Sequence, residues 1–317
     1  MKTALITGIT GQDGYYLAQF LIRKGGYKVI GLVKSVVALN SAVGELYKQV
    51  DLDVWDMQSQ HGFDEILQKY KPCEVYNLAA LSSGEGMYEN PLRILEINGR
   101  AVVRILEAIR KIDPTIRFCQ ASSREVFGVD SPAPQNENTK YNPRSPYGVA
   151  KAQADFMVNI YRERYSIFAC SAILYNHESP RRSMNFVTKK IVNGALQIKY
   201  KNKEQLVLGG ISDRRDWGFA GDYVEAMWLM LQSPIAKNYV ISSGKAHTVA
   251  EFCDKVFSSM GLNYKNFVVQ ANSLAREPES QLLIGDSSLI RDELGWKPRL
   301  DLDQLIALMI EEEELLM

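Results

Sequence analysis

The sequence has no excess of charge of either sign. Its 37 lysine and arginine side chains balance 37 aspartate and glutamate side chains, and no block of basic residues stands out. Proteins that bind nucleic acid or a membrane surface carry a basic patch or stripe, and this chain has no such footprint. We therefore expect neither nucleic acid nor a membrane as a partner.

Cysteine and histidine are scarce. The four cysteines, Cys73, Cys119, Cys170 and Cys253, lie far apart and form neither a Cys-x-x-Cys pair nor a cluster with one of the three histidines. Disulfide frameworks and metal sites depend on closely spaced ligands. We expect reduced, mostly buried thiols and no bound metal.

Long apolar runs are also missing. None approaches the length of about 18 residues that a membrane helix needs, and the start at Met1 leads directly into a glycine-rich turn. We expect no signal peptide and a cytoplasmic location. With 317 residues, 46% of them hydrophobic, the chain can bury one large core or two unequal ones.

A strand, a glycine turn and a helix are predicted in succession at the N-terminus. Residues 2–7 are mostly apolar, Gly8-Ile-Thr-Gly-Gln-Asp-Gly14 forms the turn, and residues 15–22 continue as a helix. In this context glycines let the backbone approach a pyrophosphate, which the helix N-terminus holds through free N–H groups and its dipole. The spacing Gly-x-x-Gly-x-x-Gly predicts a dinucleotide-binding crevice, with a purely structural glycine turn as the alternative.

The segment Ser145-Pro-Tyr-Gly-Val-Ala-Lys151 places a phenol and an ammonium group one helical turn apart. Ser145 can cap a helix and Pro146 suits its first position, so Tyr147 and Lys151 fall on one face. A lysine charge near a tyrosine hydroxyl lowers the pKa of the phenol toward working pH, where proton transfer is efficient. The pair predicts acid–base chemistry; a surface tyrosine packed on a lysine stem is the alternative for so short a motif.

The order of predicted elements indicates an α/β fold. Strands are expected at 3–7, 28–33, 73–78, 116–121, 168–175 and 238–242, and helices at 12–24, 91–111, 146–164 and 302–315. This alternation predicts a Rossmann-type doubly wound parallel sheet. Beyond Asn176 the alternation loosens, which predicts a smaller mixed α/β substrate lobe. Four glutamates at 311–314 put like charges at the end of the last helix, which opposes its dipole and predicts a frayed end.

The glycine turn and the Tyr-x-x-x-Lys motif, in this order, resemble the short-chain dehydrogenase/reductase superfamily in its extended form, which acts on nucleotide sugars. Longer stretches resemble the GDP-mannose 4,6-dehydratase family over nearly the whole chain. Asn176-His-Glu-Ser-Pro-Arg-Arg182 is the most specific, because seven consecutive residues with little compositional bias rarely recur by chance. The other matching stretches are 8–14, 75–80, 141–151, 186–191, 215–218, 222–228, 285–286 and 293–298.

The segment Gln120-Ala-Ser-Ser-Arg-Glu-Val-Phe-Gly128 follows a predicted strand, where a Rossmann-type sheet presents residues to its crevice. Ser123 can hydrogen-bond a substrate hydroxyl together with Tyr147. Glu125 is the discriminating residue, because sugar-nucleotide epimerases of the superfamily usually carry a small or hydroxyl residue there and the 4,6-dehydratases carry Glu. A carboxylate is needed where a carbon acid loses a proton; a solvated loop glutamate is the alternative.

The resemblance implies an enzyme, a hydro-lyase that acts on a GDP-sugar with tightly bound NADP in deoxysugar biosynthesis. The catalytic residues that it implies are Ser123, Glu125, Tyr147 and Lys151. The implied cofactor-binding residues are Gly8, Thr10, Gly11, Gln12, Asp13, Gly14, Lys34, Asp53, Val54, Leu78, Ala79, Ala80, Tyr147, Lys151, His177 and Arg182. The implied substrate-binding residues are Ser82, Asn176, Val187, Lys190, Arg215, Arg276 and Glu279. A homodimer or homotetramer is also implied.

The resemblance also assigns the two lobes. Residues 1–175, with 215–245 returning to them, would form the dinucleotide-binding domain, and 176–214 with 246–317 the nucleotide-sugar-binding lobe. After the second predicted strand, Lys34 and Ser35 replace a pair of arginines of the family. With no acid there for a ribose 2′-hydroxyl and one cation for a 2′-phosphate, NADP is favoured over NAD, which stays possible.

The chain departs from the family at the sugar end of the expected site. Arg124 stands where the family usually has Ser or Thr, and the segment 81–87 replaces a Gln-Ser-His-Val run. The main expectation is conversion of GDP-mannose to GDP-4-keto-6-deoxymannose by hydride transfer from C4 to C6 with loss of water. Alternatives are a 4,6-dehydratase of GDP-N-acetylglucosamine or a GDP-heptose, a GDP-sugar epimerase or 4-ketoreductase, and a non-catalytic sensor of the same fold.

Overall fold

The computed structural model describes residues 1–40, 44–59, 62–82, 88–128, 131–271 and 283–316. The strands in these ranges are β1 (Lys2–Thr7), β2 (Tyr27–Val33), β3 (Asp51–Val54), β4 (Glu74–Asn77), β5 (Arg117–Ala121), β6 (Ala169–Leu174), β7 (Asn176–Glu178), β8 (Leu206–Leu208), β9 (Arg214–Phe219), β10 (Tyr239–Ile241), β11 (Ala246–Thr248) and β12 (Val268–Gln270). The α-helices are α1 (Gln12–Lys24), α2 (Val36–Asn40), α3 (Gly62–Tyr70), α4 (Pro91–Leu95), α5 (Ala101–Ile112), α6 (Pro146–Tyr165), α7 (Val187–Lys201), α8 (Ala220–Gln232), α9 (Val249–Ser259), α10 (Ser288–Leu294) and α11 (Leu302–Glu314).

The main sheet is parallel and has the strand order β10-β6-β5-β4-β1-β2-β3. The order reverses at β1, which pairs with β2 on one side and β4 on the other. Open α/β sheets bind ligands outside the carboxyl ends of their strands at such a switch point. The expected doubly wound Rossmann-type sheet is confirmed, and its switch point places the glycine turn beside the end of β4.

Helices cover both faces of this sheet. On one face α1 and α8 pack through residues such as Leu17 and Met227, and on the other α3, α5 and α6 pack through Phe63, Ile105 and Val158. Each such buried side chain contributes roughly 1.5–3 kcal/mol relative to an exposed one. Since both faces are covered, strands such as β4 and β6 are buried along their whole length, as in other parallel sheets.

Local signals set the start of α6. Ser145 is extended, with φ −131° and ψ 154°, and its hydroxyl accepts a hydrogen bond from the Gly148 N–H at 3.0 Å. Pro146 occupies the first turn, where a missing N–H costs nothing. The helix therefore begins where the sequence predicts and presents Tyr147 and Lys151 from its first two turns.

The end of α11 differs from the sequence expectation. The helix continues through the run of glutamates to Glu314 instead of fraying at Glu311. Glu313 is buried, where it forms an ion pair with Lys189 and accepts a hydrogen bond from Asn193 Nδ2 at 2.9 Å. These contacts with α7 outweigh the unfavourable helix dipole, so the expectation of a frayed end is wrong.

A second core lies under α7, α9 and α11, with Leu196, Phe252 and Leu305 among its buried residues. It accompanies the small mixed sheet β11-β9-β7 and the pair β12-β8. Trp217 of β9 packs in this core, whereas Trp296 packs in the core of the main sheet. The sequence places Trp217 in the dinucleotide-binding domain and Trp296 in the nucleotide-sugar-binding lobe, so each packs in the core of the other unit. The division into domains stays a proposal.

Candidate active site

A crevice of about 1030 Å³ lies along the carboxyl edge of the main sheet, with residues of both lobes in its wall. The predicted site residues that line it are Gly8, Thr10, Gly11, Gln12, Asp13, Gly14, Lys34, Leu78, Ala79, Ala80, Ser82, Ser123, Glu125, Tyr147, Lys151, Asn176, His177, Arg182, Val187, Lys190 and Arg215. One crevice thus brings together residues from segments far apart in the chain.

Among the described residues, two that were predicted for the site do not line the crevice. Asp53 and Val54 lie at the end of β3, and the Asp53 carboxylate accepts hydrogen bonds from Lys69 and Tyr70, each at 2.9 Å. Residues 55–58 line the crevice in their place. Arg276, Glu279 and the part of the altered loop at 83–87 lie outside the described residues.

The glycine turn has no room for side chains at two of its positions. Gly8 has φ +69°, and a Cβ there would lie 2.8 Å from the backbone of Ala79. A Cβ at Gly14 would lie 2.4 Å from the Gly8 carbonyl oxygen. Gly11 precedes α1 without a capping side chain, so the first N–H groups of α1 remain available to an anion in the crevice. This arrangement fits the pyrophosphate of a dinucleotide.

Asp13 and His177 form a buried pair behind the glycine turn. His177 Nε2 lies 2.9 Å from Asp13 Oδ2, and Nδ1 lies 2.7 Å from the Tyr175 carbonyl oxygen. Burial lowers the pKa of His177, but the Asp13 carboxylate outweighs burial and the net pKa is raised. Since both partners are acceptors, the ring donates from both nitrogens as an imidazolium. The pair ties the start of α1 to β7.

Gln12 adds two hydrogen bonds to the same junction. Its Nε2 donates to the His177 carbonyl at 3.0 Å, and its Oε1 accepts from the Ser179 hydroxyl at 2.7 Å. The turn motif at 8–14 and the Asn-His-Glu-Ser motif at 176–179 are therefore two halves of one interlocked structure. The side chains of Gln12 and Asp13 are already engaged by protein groups.

Tyr147 and Lys151 lie side by side in the crevice wall, both buried. Lys151 Nζ lies 5.6 Å from the Tyr147 ring centroid and donates to the Ala121 carbonyl at 2.7 Å. Burial lowers the pKa of Lys151 to about 8, although the charges of Asp155 and Asp13 oppose this shift. Lys151 therefore keeps its charge at neutral pH and loses it in the alkaline range.

The pKa of Tyr147 differs from the sequence expectation. Burial raises it to about 12, a hydrogen bond with Ser123 opposes the rise, and the charge of Glu125 adds to it. The expectation of a lowered pKa is wrong for the protein alone, because desolvation of the phenolate exceeds the effect of nearby cations. The phenol of the protein alone is therefore protonated at neutral pH.

Glu125 lies in a 3₁₀ turn, Arg124–Val126, shortly after β5, and Ser123 caps the start of this turn. The Ser123 hydroxyl accepts from the Glu125 N–H at 3.3 Å. Arg124 Nη2 lies 2.7 Å from Glu125 Oε1, with the arginine side chain 9% exposed and the glutamate side chain 31% exposed. Glu125 is thus a carboxylate that faces the crevice from beside a buried guanidinium, a pairing that the sequence analysis did not predict.

The opposite wall carries the residues expected to hold the nucleotide. Asn176 follows β6, Val187 and Lys190 lie in the first turn of α7, and Arg215 belongs to β9. Arg215 donates to the Arg214 carbonyl at 2.7 Å and lies 3.6 Å from Asp213. Several residues that line the crevice were missed, because no motif marks them: Trp55, Asp56, Met57, Gln58, Arg93 and Asn185.

Metal chemistry and membrane insertion find no support in the part of the chain that the structure describes. That part contains no group of three or more His, Cys, Asp and Glu side chains placed to hold a metal ion. Its helices are all too short or too polar to cross a membrane.

Comparison with known proteins agrees with this geometry. A dTDP-glucose 4,6-dehydratase from Bacillus anthracis in complex with NAD superimposes with a TM-score of 0.86 at 20% identity, covering 99% of this chain and 97% of that chain. RMD from Pseudomonas aeruginosa, complexed with NADPH, also gives a TM-score of 0.86 at 20% identity, covering 100% of both chains. These likenesses show the fold.

Sequence relatives are more specific. GDP-mannose 4,6 dehydratase 2 of Arabidopsis thaliana is 42% identical over 325 aligned residues, which cover 98% of this chain and 87% of that protein. The family model for GDP-mannose 4,6 dehydratase matches residues 5–309, a span that includes the glycine turn, Glu125, Tyr147 and Lys151. The chain therefore belongs to the GDP-mannose 4,6 dehydratase family.

Proposed function

We propose that this protein is a nucleotide-sugar 4,6-dehydratase that converts GDP-mannose to GDP-4-keto-6-deoxymannose. The observation that carries this proposal is a carboxylate, Glu125, in the same crevice as Tyr147, Lys151 and Ser123. An epimerase or 4-ketoreductase would need the tyrosine and lysine but not a second base. The 42% identity to a GDP-mannose 4,6 dehydratase supports the same substrate.

The crevice fits a nicotinamide dinucleotide. The uncapped start of α1 offers N–H groups for the pyrophosphate, and Gly8 and Gly14 leave no side chain to obstruct it. When bound, the oxidised cofactor supplies a hydride acceptor and a positive charge that favours the Tyr147 phenolate. Lys34, Ala79 and Ala80 would lie along the same wall.

Tyr147 and its neighbours perform the first proton transfer. As phenolate, Tyr147 accepts the proton of the C4 hydroxyl while C4 is oxidised to a ketone. Ser123 hydrogen-bonds the Tyr147 hydroxyl and opposes the effect of burial on its pKa. Lys151, charged at neutral pH, stabilises the phenolate.

Glu125 performs the second proton transfer, at carbon. The ketone at C4 acidifies the neighbouring C5–H, and the Glu125 carboxylate removes that proton and passes it to the C6 hydroxyl, which leaves as water. The resulting enone takes up a hydride at C6 and, at C5, a proton that balances the one held by Tyr147, which gives the 4-keto-6-deoxy sugar. Arg124 keeps the carboxylate in its crevice position through the 2.7 Å ion pair. An oxygen acid and a carbon acid thus each have their own base.

Product analysis tests the function. Purified protein incubated with GDP-mannose should yield a 4-keto sugar whose C6 has become a methyl group, visible by proton NMR. An epimerised or 4-reduced product that retains its C6 hydroxyl would establish the epimerase or ketoreductase alternative. Lack of turnover of every sugar nucleotide in the panel below would favour the non-catalytic sensor.

A modified GDP-sugar is the second candidate substrate. Arg124 is a buried guanidinium that lines the crevice, and Arg93 of α4, which is exposed, adds a second arginine to the wall. A site built from polar contacts rejects a wrong sugar strongly, since buried groups are then left unpaired. Values of kcat/KM for GDP-mannose, GDP-N-acetylglucosamine, a GDP-heptose and dTDP-glucose decide the substrate. A preference for dTDP-glucose would overturn the assignment of a GDP-sugar.

NADP should restore activity better than NAD after the bound cofactor has been stripped. Lys34 lines the crevice after β2 and offers a cation to a ribose 2′-phosphate, and residues 35–38, which follow it, include no acid for a ribose 2′-hydroxyl. We expect Lys34→Ala to lower the NADP/NAD ratio of restored rates. Lys28→Ala is the matched control, because Lys28 lies on β2, the strand that Lys34 follows, but pairs with Asp51 outside the crevice. Equal rescue by both cofactors would contradict the preference.

We also propose that the protein forms a homodimer or a homotetramer. Val149, Phe156 and Ile160 form an exposed apolar stripe on one face of α6, with Phe156 55% exposed. A second copy of the chain can cover this stripe by packing its own α6 against it. Light scattering should show a dimer or larger for the native protein and a monomer for Phe156→Lys, with Ile235→Lys as the exposed apolar control outside α6. A monomeric native protein would refute the proposal.

A further inference from the structure

A second carboxylate lies behind the active site, without access to the crevice. Asp155 is one turn after Lys151 on α6 and is 0% exposed. Its Oδ2 accepts hydrogen bonds from the Tyr141 hydroxyl at 3.0 Å and from the Ser122 hydroxyl. Ser171 of β6 faces the same carboxyl group. Burial raises the pKa of Asp155, and the hydrogen bonds from Ser122 and Tyr141 oppose that rise and favour the carboxylate.

These partners connect Asp155 to the catalytic groups. Ser122 lies between Ala121, whose carbonyl accepts from Lys151 Nζ at 2.7 Å, and Ser123, which hydrogen-bonds Tyr147. The hydrogen bond from Ser122 to Asp155 therefore fixes residues 121–123 at the end of β5. The same residues supply the Ala121 carbonyl that contacts Lys151 and the Ser123 hydroxyl that contacts Tyr147. A shift of this strand end would move the lysine and the serine together.

Charge connects Asp155 to Lys151 as well. Residues four apart on a helix lie on one face, and the negative charge of Asp155 opposes the effect of burial on Lys151. The other titratable or charged groups around these two residues are Tyr141 before α6, Tyr147 on α6, Asp13 at the start of α1, Glu125 after β5 and Arg182 after β7. Among the charges that raise the pKa of Lys151, that of Asp155 has the largest effect.

We propose that Asp155 is a positioning residue of the active site, which fixes residues 121–123 at the end of β5 and places a buried negative charge one helical turn from Lys151. This inference rests on the proposed roles of Tyr147 and Lys151. Asp155 touches neither substrate nor cofactor, because it has no surface in the crevice. Its effect passes entirely through Lys151 and Ser122.

Asp155→Asn tests the proposal because it keeps the shape and removes the charge. An ammonium that loses a nearby negative charge titrates at lower pH, so the Lys151 titration should move down by about one pH unit. The alkaline limb of the kcat profile should move down with it, since the phenolate loses its cation earlier. KM for GDP-mannose should stay unchanged. ¹³C NMR of the lysine side chains in the full chain measures the titration without substrate.

Asp222→Asn is the matched control. Asp222 is also 0% exposed, and it holds Arg299 through Oδ1 at 2.8 Å, but it does not line the crevice. A merely structural role for Asp155 predicts that both variants lose stability and that neither moves the Lys151 titration. That result, or equal shifts in both variants, would overturn the proposal.

Tyr141→Phe keeps the proposal testable if Asp155→Asn does not fold. It removes a donor that favours the ionised form of Asp155, so the pKa of that carboxyl rises further and part of its negative charge is lost. The Lys151 titration should therefore move down by a smaller amount than in Asp155→Asn. An unchanged titration would again overturn the inference. The NMR titration needs no turnover. A wild-type protein that is inactive on every sugar nucleotide would therefore refute the proposed function, while the Lys151 titration would still test the role of Asp155.

Discussion

Tyr147→Phe should abolish turnover and leave the fold intact. The variant has no group to accept the proton of the C4 hydroxyl, and a positioned acid or base contributes roughly 10²–10⁴-fold. Phenylalanine keeps the packing against Ile94 and Ala150 that buries the ring. Mixing the variant with GDP-mannose should therefore produce no absorbance of reduced nicotinamide.

Tyr239→Phe is the matched control for this experiment. Its hydroxyl donates to Glu293 Oε2 at 2.7 Å, and Tyr239 does not line the crevice. We expect this variant to keep the wild-type rate. A Tyr147→Phe protein with more than about a tenth of that rate would show that another group takes the proton, because the loss should be far larger.

Glu125→Gln should separate the two halves of the reaction. Oxidation at C4 continues because Tyr147, Lys151 and Ser123 are intact, while proton removal from C5 loses its base and slows roughly 10²–10⁴-fold. Reduced nicotinamide should then accumulate on the enzyme after rapid mixing with GDP-mannose, and little deoxy sugar should form. Absorbance and product NMR on the same sample measure both halves.

Two further variants serve as comparisons for Glu125→Gln. Glu293→Gln removes a glutamate that pairs with Lys237 outside the crevice and should be fully active. Arg124→Ser leaves the base but removes the ion pair at 2.7 Å, so we expect a smaller loss than for Glu125→Gln. Full dehydration by Glu125→Gln would refute the assignment of this residue as the carbon base.

Local signals explain why much of the fold could be predicted. The glycine turn and the Ser-Pro start of α6 are specified by neighbouring residues, so α1 matches the predicted 12–24 and α6 extends one residue past 164. The strand at 51–54 was not predicted, because it is short and carries Asp51 and Asp53 in an edge position. Only its pairing with β2 makes it a strand.

Tertiary contacts explain what sequence reasoning missed at the site. The pKa of Tyr147 depends on how deeply the ring is buried, and the end of α11 depends on the contacts of Glu313 with α7. The Arg124–Glu125 pair likewise follows from the 3₁₀ turn and the burial of Arg124. Spacing along the chain encodes none of these contacts. The crevice residues that were predicted belong to recognisable motifs.

Deuterium placed at C4 of GDP-mannose tests the central claim most directly. If one crevice oxidises C4 and later reduces C6 without exchange of cofactor, the product should be a 4-keto sugar that carries the deuterium in its C6 methyl group. NMR of the product, formed without added nicotinamide, reads the position of the label. A product that retains its C6 hydroxyl, or a C6 methyl group without deuterium, would contradict the account.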